Sequence, residues 1–177
     1  MRILAISGSL RTGSSNTRAV EALARLAPDD VEIIIWRELG QLPHFNPDLD
    51  ADSPPAPVQA LRREISLCDG LIICSPEYAH GVAGVMKNAL DWLVGSLEFS
   101  GTPVALINAS PRATLAQAHM RGTLEVMDAR VVEAASIAVP LTGVSLTSDE
   151  IATDPALGPQ LQGLLEVFAA SIRTPPG

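Results

Sequence analysis

The chain has 177 residues, 47% apolar and 18% charged, which is one domain's worth of sequence with enough apolar side chains for a core. That composition excludes intrinsic disorder and collagen-like repeats, and no apolar run approaches the roughly 18 residues of a membrane span. A net charge of −8 argues against a nucleic-acid partner, because such proteins carry a basic face.

The N-terminal segment enters an apolar run directly, and that run is too short for a signal-peptide core. Residues 1–25 hold Arg2, Arg11, Arg18 and Arg25 against Glu21 alone, a local charge of +3 in a chain that is otherwise acidic. One basic end on an acidic protein points to a confined anion site. Ile3–Ser7 reads as a short buried strand. From Thr17 onward Val20, Leu23, Ala24 and Ala27 recur at helical spacing. Val31–Trp36 is a second strand, followed by an irregular stretch, Gln41–Ser53. Its aspartates, Asp48, Asp50 and Asp52, lack the Gly turn and terminal Glu of a calcium loop, so no metal is expected there. Ser53-Pro54 has the form of a helix N-cap followed by proline. The helix after it would bury Val58, Leu61, Ile65 and Cys68.

Gly70–Ser75 is the third strand and Gly84–Leu97 the third helix, in which Lys87 and Asp91 are spaced for a surface ion pair. Pro103–Asn108, Ala113–Met127 and Val131–Val139 are read as strand, helix and strand. Asp154-Pro155 then opens an amphipathic helix carrying Leu157, Leu161, Leu164, Leu165, Phe168 and Ile172. Two cysteines, Cys68 and Cys74, are too few for a secreted disulfide framework, so the cytoplasm is the expected location.

This strict alternation predicts an α/β fold: a doubly wound five-stranded parallel sheet of flavodoxin-like order 2-1-3-4-5 in three α/β/α layers, as a single domain over 1–177. In such sheets a ligand lies beyond the strand C-termini near the switch point, so the loops after strands one, three and four are where chemistry is expected.

The first loop, Gly8 to Thr17, concentrates hydroxyls and glycines at a helix N-terminus. Ser9, Ser14, Ser15, Asn16 and Thr17 can each donate to phosphate oxygens, and Arg11 adds charge. Gly8 and Gly13 have the spacing of a Walker A loop, but Ser14 stands where its lysine must be, and the G-x-G-x-x-G fingerprint is absent. A monophosphate is the better ligand. In the second loop, Tyr78 is the single tyrosine of the chain. It offers a flat heterocycle a stacking surface beside polar groups. Cys74 would suit a phosphatase if arginine followed five residues on, but His80 occupies that place, so Cys74 is read as a buried strand-end thiol. In the third loop Ser110 is a candidate for a ligand edge and Arg112 for an anionic second substrate.

Gly8-Ser9-Leu10-Arg11 followed by Ser14 and Asn16 resembles the G-S-L-R-x-x-S-x-N phosphate loop of NAD(P)H-dependent FMN reductases. Pro76-Glu77-Tyr78 through Lys87-Asn88-Ala89-Leu90-Asp91-Trp92 is similar to that family's P-E-Y-N…P-G-x-L-K-N-A-I-D-W segment. The resemblance implies bound FMN with NADPH or NADH as co-substrate, and a small-molecule electron acceptor such as a quinone, a flavin, an azo dye or a metal oxyanion. It implies that Ser9, Arg11 and Ser14 through Thr17 hold the FMN phosphate. Pro76, Glu77, Tyr78, Ala79 and His80 would line the isoalloxazine, with Ser110 touching the flavin. It also implies a homodimer or homotetramer. The chain departs from the pattern at Ala79, where the family has Asn, at Val82-Ala83, and in a third loop without Gly-Gly. The expected mechanism is ping-pong, with no residue assigned as a catalytic acid or base. Two alternatives stay open at this point: a flavodoxin-type electron carrier that NAD(P)H does not reduce, and a flavin-free regulatory or scaffold relative.

Overall fold

The computed structural model describes residues 1–51 and 53–174; Asp52 lies outside them. Six pieces of strand make one parallel sheet: β1 (Arg2–Ser7), β2 (Glu32–Trp36), β3 (Gly70–Cys74), β6 (Pro103–Asn108), β7 (Arg130–Val131) and β8 (Ile137–Ala138). Between β3 and β6 a two-stranded hairpin intervenes, β4 (Glu77–Tyr78) and β5 (Gly81–Val82). The helices are α1 (Ser15–Leu26), α2 (Ala56–Ser66), α3 (Gly84–Leu93), α4 (Thr114–Val126), α5 (Ser148–Thr153) and α6 (Leu157–Arg173). Along the sheet the order is β2-β1-β3-β6, with β7 and β8 both pairing on the outer side of β6. This is the expected 2-1-3-4-5 order, its fifth strand in two pieces.

Period-two alternation in the strands divides the core. Ile3, Ala5, Ile72, Cys74, Ala105 and Ile107 face one layer, where they meet Ala19, Val20 and Leu23 of α1 and Leu161, Leu165 and Phe168 of α6. Leu4, Ile6, Leu71, Ile73, Val104 and Leu106 face the other, against Leu61 and Ile65 of α2, Met86 and Leu90 of α3, and Met120 of α4. Strands buried on both faces read as unbroken apolar runs, which is why they stand out in the sequence. Among the described residues no helix is long and apolar enough to cross a membrane.

Several boundaries differ from expectation. The fifth strand, expected over Val131–Val139, is interrupted by a 3₁₀ turn at Glu133–Ala135. The register moves from Val104↔Val131 to Ile107↔Ile137 across it, so the turn is looped out as three extra residues. Ser136 repairs the ladder there: its hydroxyl accepts from Leu106 N–H at 3.1 Å and donates to the Val132 carbonyl at 3.0 Å. α2 starts at Ala56 and not at Pro54, with Pro55 and not Ser53 at the cap position and no capping side chain. Pro54, which precedes Pro55, is biased towards extended backbone, and this delays the helix. Cys68, expected in the buried stripe of that helix, sits two residues past its end and is half-buried. α3 stops at Leu93, before Gly95, and not at Leu97. α6 likewise starts later than Asp154-Pro155 suggests, at Leu157 with Ala156 at the cap position, although the Asp154 carboxylate accepts from Ala156 and Leu157 N–H at 2.8 and 2.9 Å.

The basic N-terminal end disperses. Arg2 pairs with Glu64 at 2.8 Å and Arg25 pairs with Asp149. Arg18 spends its terminal nitrogens on the Val144 and Leu146 carbonyls. Of the four, Arg11 is the one that reaches the loop end of the sheet with its guanidinium uncommitted among the described residues. Lys87 and Asp91 form the expected surface pair, and Asp50 of the irregular stretch is paired with Arg62 at 2.9 Å.

Candidate active site

Beyond the C-termini of β1, β3 and β6 a cleft of about 380 Å³ opens, in the size range of small-molecule sites. Its first wall is the β1–α1 loop, from which Ser9, Arg11, Ser14, Ser15 and Asn16 line it. Ser14 is the N-cap of α1; its hydroxyl oxygen accepts from Asn16 N–H at 3.2 Å, which leaves the hydroxyl proton free to donate. Ser9 does the same for Arg11 N–H at 3.4 Å. Gly13 takes φ +69°, turning the chain from the loop into the helix, and a Cβ there would meet nothing within 4 Å. Two hydroxyl donors, a free guanidinium and the positive end of α1 form a donor set suited to a phosphate monoester.

The other residues expected in that group have inward tasks. Asn16 is buried, donates its amide to Ser14 Oγ and accepts from the Cys74 thiol at 3.3 Å. Burial pushes the Cys74 thiol well above its ordinary pKa, so it stays protonated and is no nucleophile. Ser15 donates to the Leu141 carbonyl at 3.1 Å. Thr17 is not on this cleft: its hydroxyl is 2.9 Å from Ser7 Oγ, beneath the loop.

The second wall holds Ser75, Pro76, Glu77 and Tyr78. Tyr78 stands 56% exposed at the rim, as a ring offered to a ligand must. Ala79 and His80 are the two turn residues of the β4–β5 hairpin and do not line the cleft. Both have positive φ, 48° and 63°, as a two-residue turn of the right twist requires. Asn and Gly favour those positions, whereas Ala in left-handed backbone is strained. Ala79→Gly is therefore expected to raise stability by about 1 kcal/mol, a rise in Tm of roughly 2–4 °C by calorimetry.

Glu77 joins this wall to the third. α4 begins without a capping side chain of its own, and Glu77 Oε2 supplies one from a distance, accepting from Ala116 N–H at 2.9 Å. That bond holds the Glu77 carboxyl below the usual carboxylate range, helped by His80, whose Nδ1 is 3.3 Å from Oε1. With its folded pKa depressed, Glu77 contributes clamping that is complete above about pH 4.3 and is lost only as pH falls through the lower folded value. Glu77→Gln is expected to bind FMN several-fold more weakly at neutral pH. Its affinity would then stay nearly flat as pH falls below about 4.3, where the wild-type value drops once Glu77 is protonated. FMN fluorescence titration at several pH values checks both.

Ser110 and Arg112 of the third loop line the cleft as expected, beside Asn108, Ala109 and Ala113. Asn108 shapes that loop, accepting from Ser110 N–H at 3.0 Å and donating to the Ala113 carbonyl at 3.1 Å. Thr142 and Gly143, after β8, complete the lining and were missed in the sequence. Thr142 donates to the Ala109 carbonyl at 3.1 Å, and the Ser15 and Arg18 bonds described above fasten the same segment to α1. The Pro140-Leu141-Thr142-Gly143 turn after the fifth strand is the signal that was available, because that turn also lies at the strand C-termini.

Comparison with known proteins agrees with this geometry. Residues 1–142 match the family described as NADPH-dependent FMN reductase. A 2-hydroxy-1,4-benzoquinone reductase of a Burkholderia species is 38% identical over 134 residues, 72% of each chain. An NAD(P)H-dependent FMN reductase of Pseudomonas aeruginosa is 38% identical over 133 residues, 72% of this chain and 71% of that one. Among solved structures, the flavoenzyme NAD(P)H:(acceptor) oxidoreductase FerB of Paracoccus denitrificans superposes with a TM-score of 0.76 at 28% identity, covering 97% of both chains. With its sheet order, its hydroxyl-rich first loop and this match over most of its length, the chain belongs to the NADPH-dependent FMN reductase family of oxidoreductases.

Proposed function

We propose that this protein, acting as one domain over 1–177, binds FMN in the cleft and reduces a quinone-type small molecule at the expense of NADPH or NADH. The observation that carries the reading is the pairing of two walls: uncommitted donors on Ser9, Arg11 and Ser14 face a rim on which Tyr78 stands half-exposed. Bound FMN supplies a two-electron carrier that accepts hydride from NAD(P)H and passes the electrons on. The protein's own work is to hold and orient. Ser9, Ser14 and Arg11 would take the phosphate; Pro76, Glu77 and Tyr78 would flank the ring; Ser110 would reach its edge. Glu77, the one carboxylate lining the cleft among the described residues, accepts from Ala116 N–H and so has a positioning task there.

The two substrates would use the same open rim in turn, a ping-pong scheme, and Arg112 at that rim would meet an anionic group of either. Flavins, azo dyes and metal oxyanions are the further acceptors this reading admits. A homodimer or homotetramer in the cytoplasm is part of it, and light scattering after size exclusion checks the assembly.

The test is a visible spectrum of FMN-loaded protein before and after anaerobic NADPH. Bleaching of the flavin bands, then recovery on adding a benzoquinone, is the expected result. Bound flavin that NADPH and NADH both leave oxidised would make the protein an electron carrier. Failure to retain FMN at all would make it a flavin-free relative of the fold.

A further inference from the structure

The last wall of the cleft, Thr142 and Gly143, belongs to the segment that runs from β8 to α5. Leu141 anchors its near end: the Leu141 N–H donates to the Ala109 carbonyl at 3.1 Å, and its carbonyl accepts from Ser15 Oγ at 3.1 Å. Thr147 fixes the far end, where it opens α5 with its capping box. Between them, among the described residues, every hydrogen bond that ties 143–146 to the rest of the protein comes from one side chain, Arg18. Its Nη2 donates to the Val144 carbonyl at 2.9 Å and to Ser15 Oγ at 3.3 Å, and its Nη1 donates to the Leu146 carbonyl.

Arg18 stands one turn into α1, its own N–H bonded to the Ser14 carbonyl at 3.0 Å. It does not line the cleft. Its planar fork grips two carbonyls two residues apart, while its stem is fixed to the helix that presents Ser14 and Ser15 to the cleft. Gly143 takes φ +80°, where glycine turns at little cost, so the backbone there is not held in place by its own stiffness. Exposed loops with few bonds are the parts of a fold that open first. Ser15 Oγ takes part in the same network, so the clamp fixes the wall relative to the N-terminus of α1, the end of the cleft where the phosphate donors gather.

We propose that Arg18 is a positioning residue for FMN: without touching the cofactor, it sets the spacing between the 142–143 wall and the N-terminus of α1, and so the fit of the phosphate end. The inference rests on FMN occupying the cleft, as proposed above.

The test compares FMN with riboflavin, which lacks the phosphate, by flavin fluorescence titration of the wild type, Arg18→Lys and Arg18→Met well below each Tm. Lysine keeps the charge but cannot hold both carbonyls as the fork does. The expected result is a loss of FMN affinity of at least about fivefold in both variants, with riboflavin affinity changed less than about twofold. Phe168→Leu, a core change away from the cleft, controls for lost stability and should alter neither affinity. Arg18→Lys that binds FMN as the wild type does would reduce the residue to a distant charge and overturn the proposal. Equal losses for the two flavins, or losses matched by Phe168→Leu, would overturn it too, because the effect would then be one of general packing. If Arg18→Met fails to fold, Arg18→Lys carries the comparison. A wild type that binds neither flavin would sink the reading of the cleft and this inference with it; binding that both Arg18 variants retain in full would sink this inference alone.

Discussion

Gly8→Ala is expected to lower stability by about 2 kcal/mol, a fall in Tm of roughly 4–8 °C, and to weaken FMN binding by at least about tenfold. A Cβ at Gly8 would sit 2.3 Å from Ser75 Oγ, 2.7 Å from its Cβ and 3.0 Å from its Cα. The hydroxyl can turn away; the Cβ and the backbone cannot. Gly8 N–H also donates to the Cys74 carbonyl at 2.9 Å, so the tips of β1 and β3 are held together at the contact the new methyl would open. Both loops that leave those tips line the cleft, Ser9 on one side and Ser75 on the other. A small displacement there moves Ser9 and its loop relative to the Tyr78 rim. Ser75→Gly in the same chain removes two of the three clashing atoms and should restore part of both losses. If Gly8→Ala binds FMN as the wild type does, the cleft does not depend on this close approach.

Arg11→Ala should raise the dissociation constant for FMN about tenfold while leaving Tm within about 1 °C. A hydrogen bond to a charged group contributes roughly 1.5–3 kcal/mol, and solvent exposure places Arg11 at the low end of that range. Because its guanidinium has no partner among the described residues, its removal orphans nothing in the fold. The residual binding should also depend less on salt, since one charge pair has gone. Arg25→Ala is the matched control. It makes the same change in net charge, but Arg25 pairs with Asp149, and neither residue lines the cleft. Equal losses in the two variants would reduce the role of Arg11 to long-range charge. Fluorescence titration of FMN at two salt concentrations reads all of these.

How much was legible beforehand varies with the physics of each segment. Pro103–Asn108 was read to the residue, because an apolar run bounded by proline and a polar turn has few other fates. The fifth strand was read too long. Its apolar ends suggested one extended run, whereas Glu133, Ala134 and Ala135, poor strand formers, loop out and Ser136 bridges the gap. α5 was overlooked, although Thr147 and Glu150 form a capping box with the T-x-x-E spacing that announces a helix start. For the site, residue types at a loop showed where donors would gather, but not which would be spent. Thr17 and Ser7 bond each other, and Ser15 is committed to Leu141, a partner 126 residues away that no local pattern reveals. The β4–β5 hairpin was hidden because Ala79-His80 is not a turn-forming pair; the tertiary bond from Glu77 to α4 accompanies a conformation those residues do not favour.

The break between β7 and β8 has a consequence for solubility. An outermost strand presents unpaired backbone groups on which another chain can add itself, and long flat margins are where such growth begins. Here that margin consists of two pieces of two residues each, separated by a turn that uses three residues and points them off the ladder. No continuous row of free N–H and C=O groups faces outward along β7 and β8, so that side of the sheet offers a poor template for intermolecular pairing.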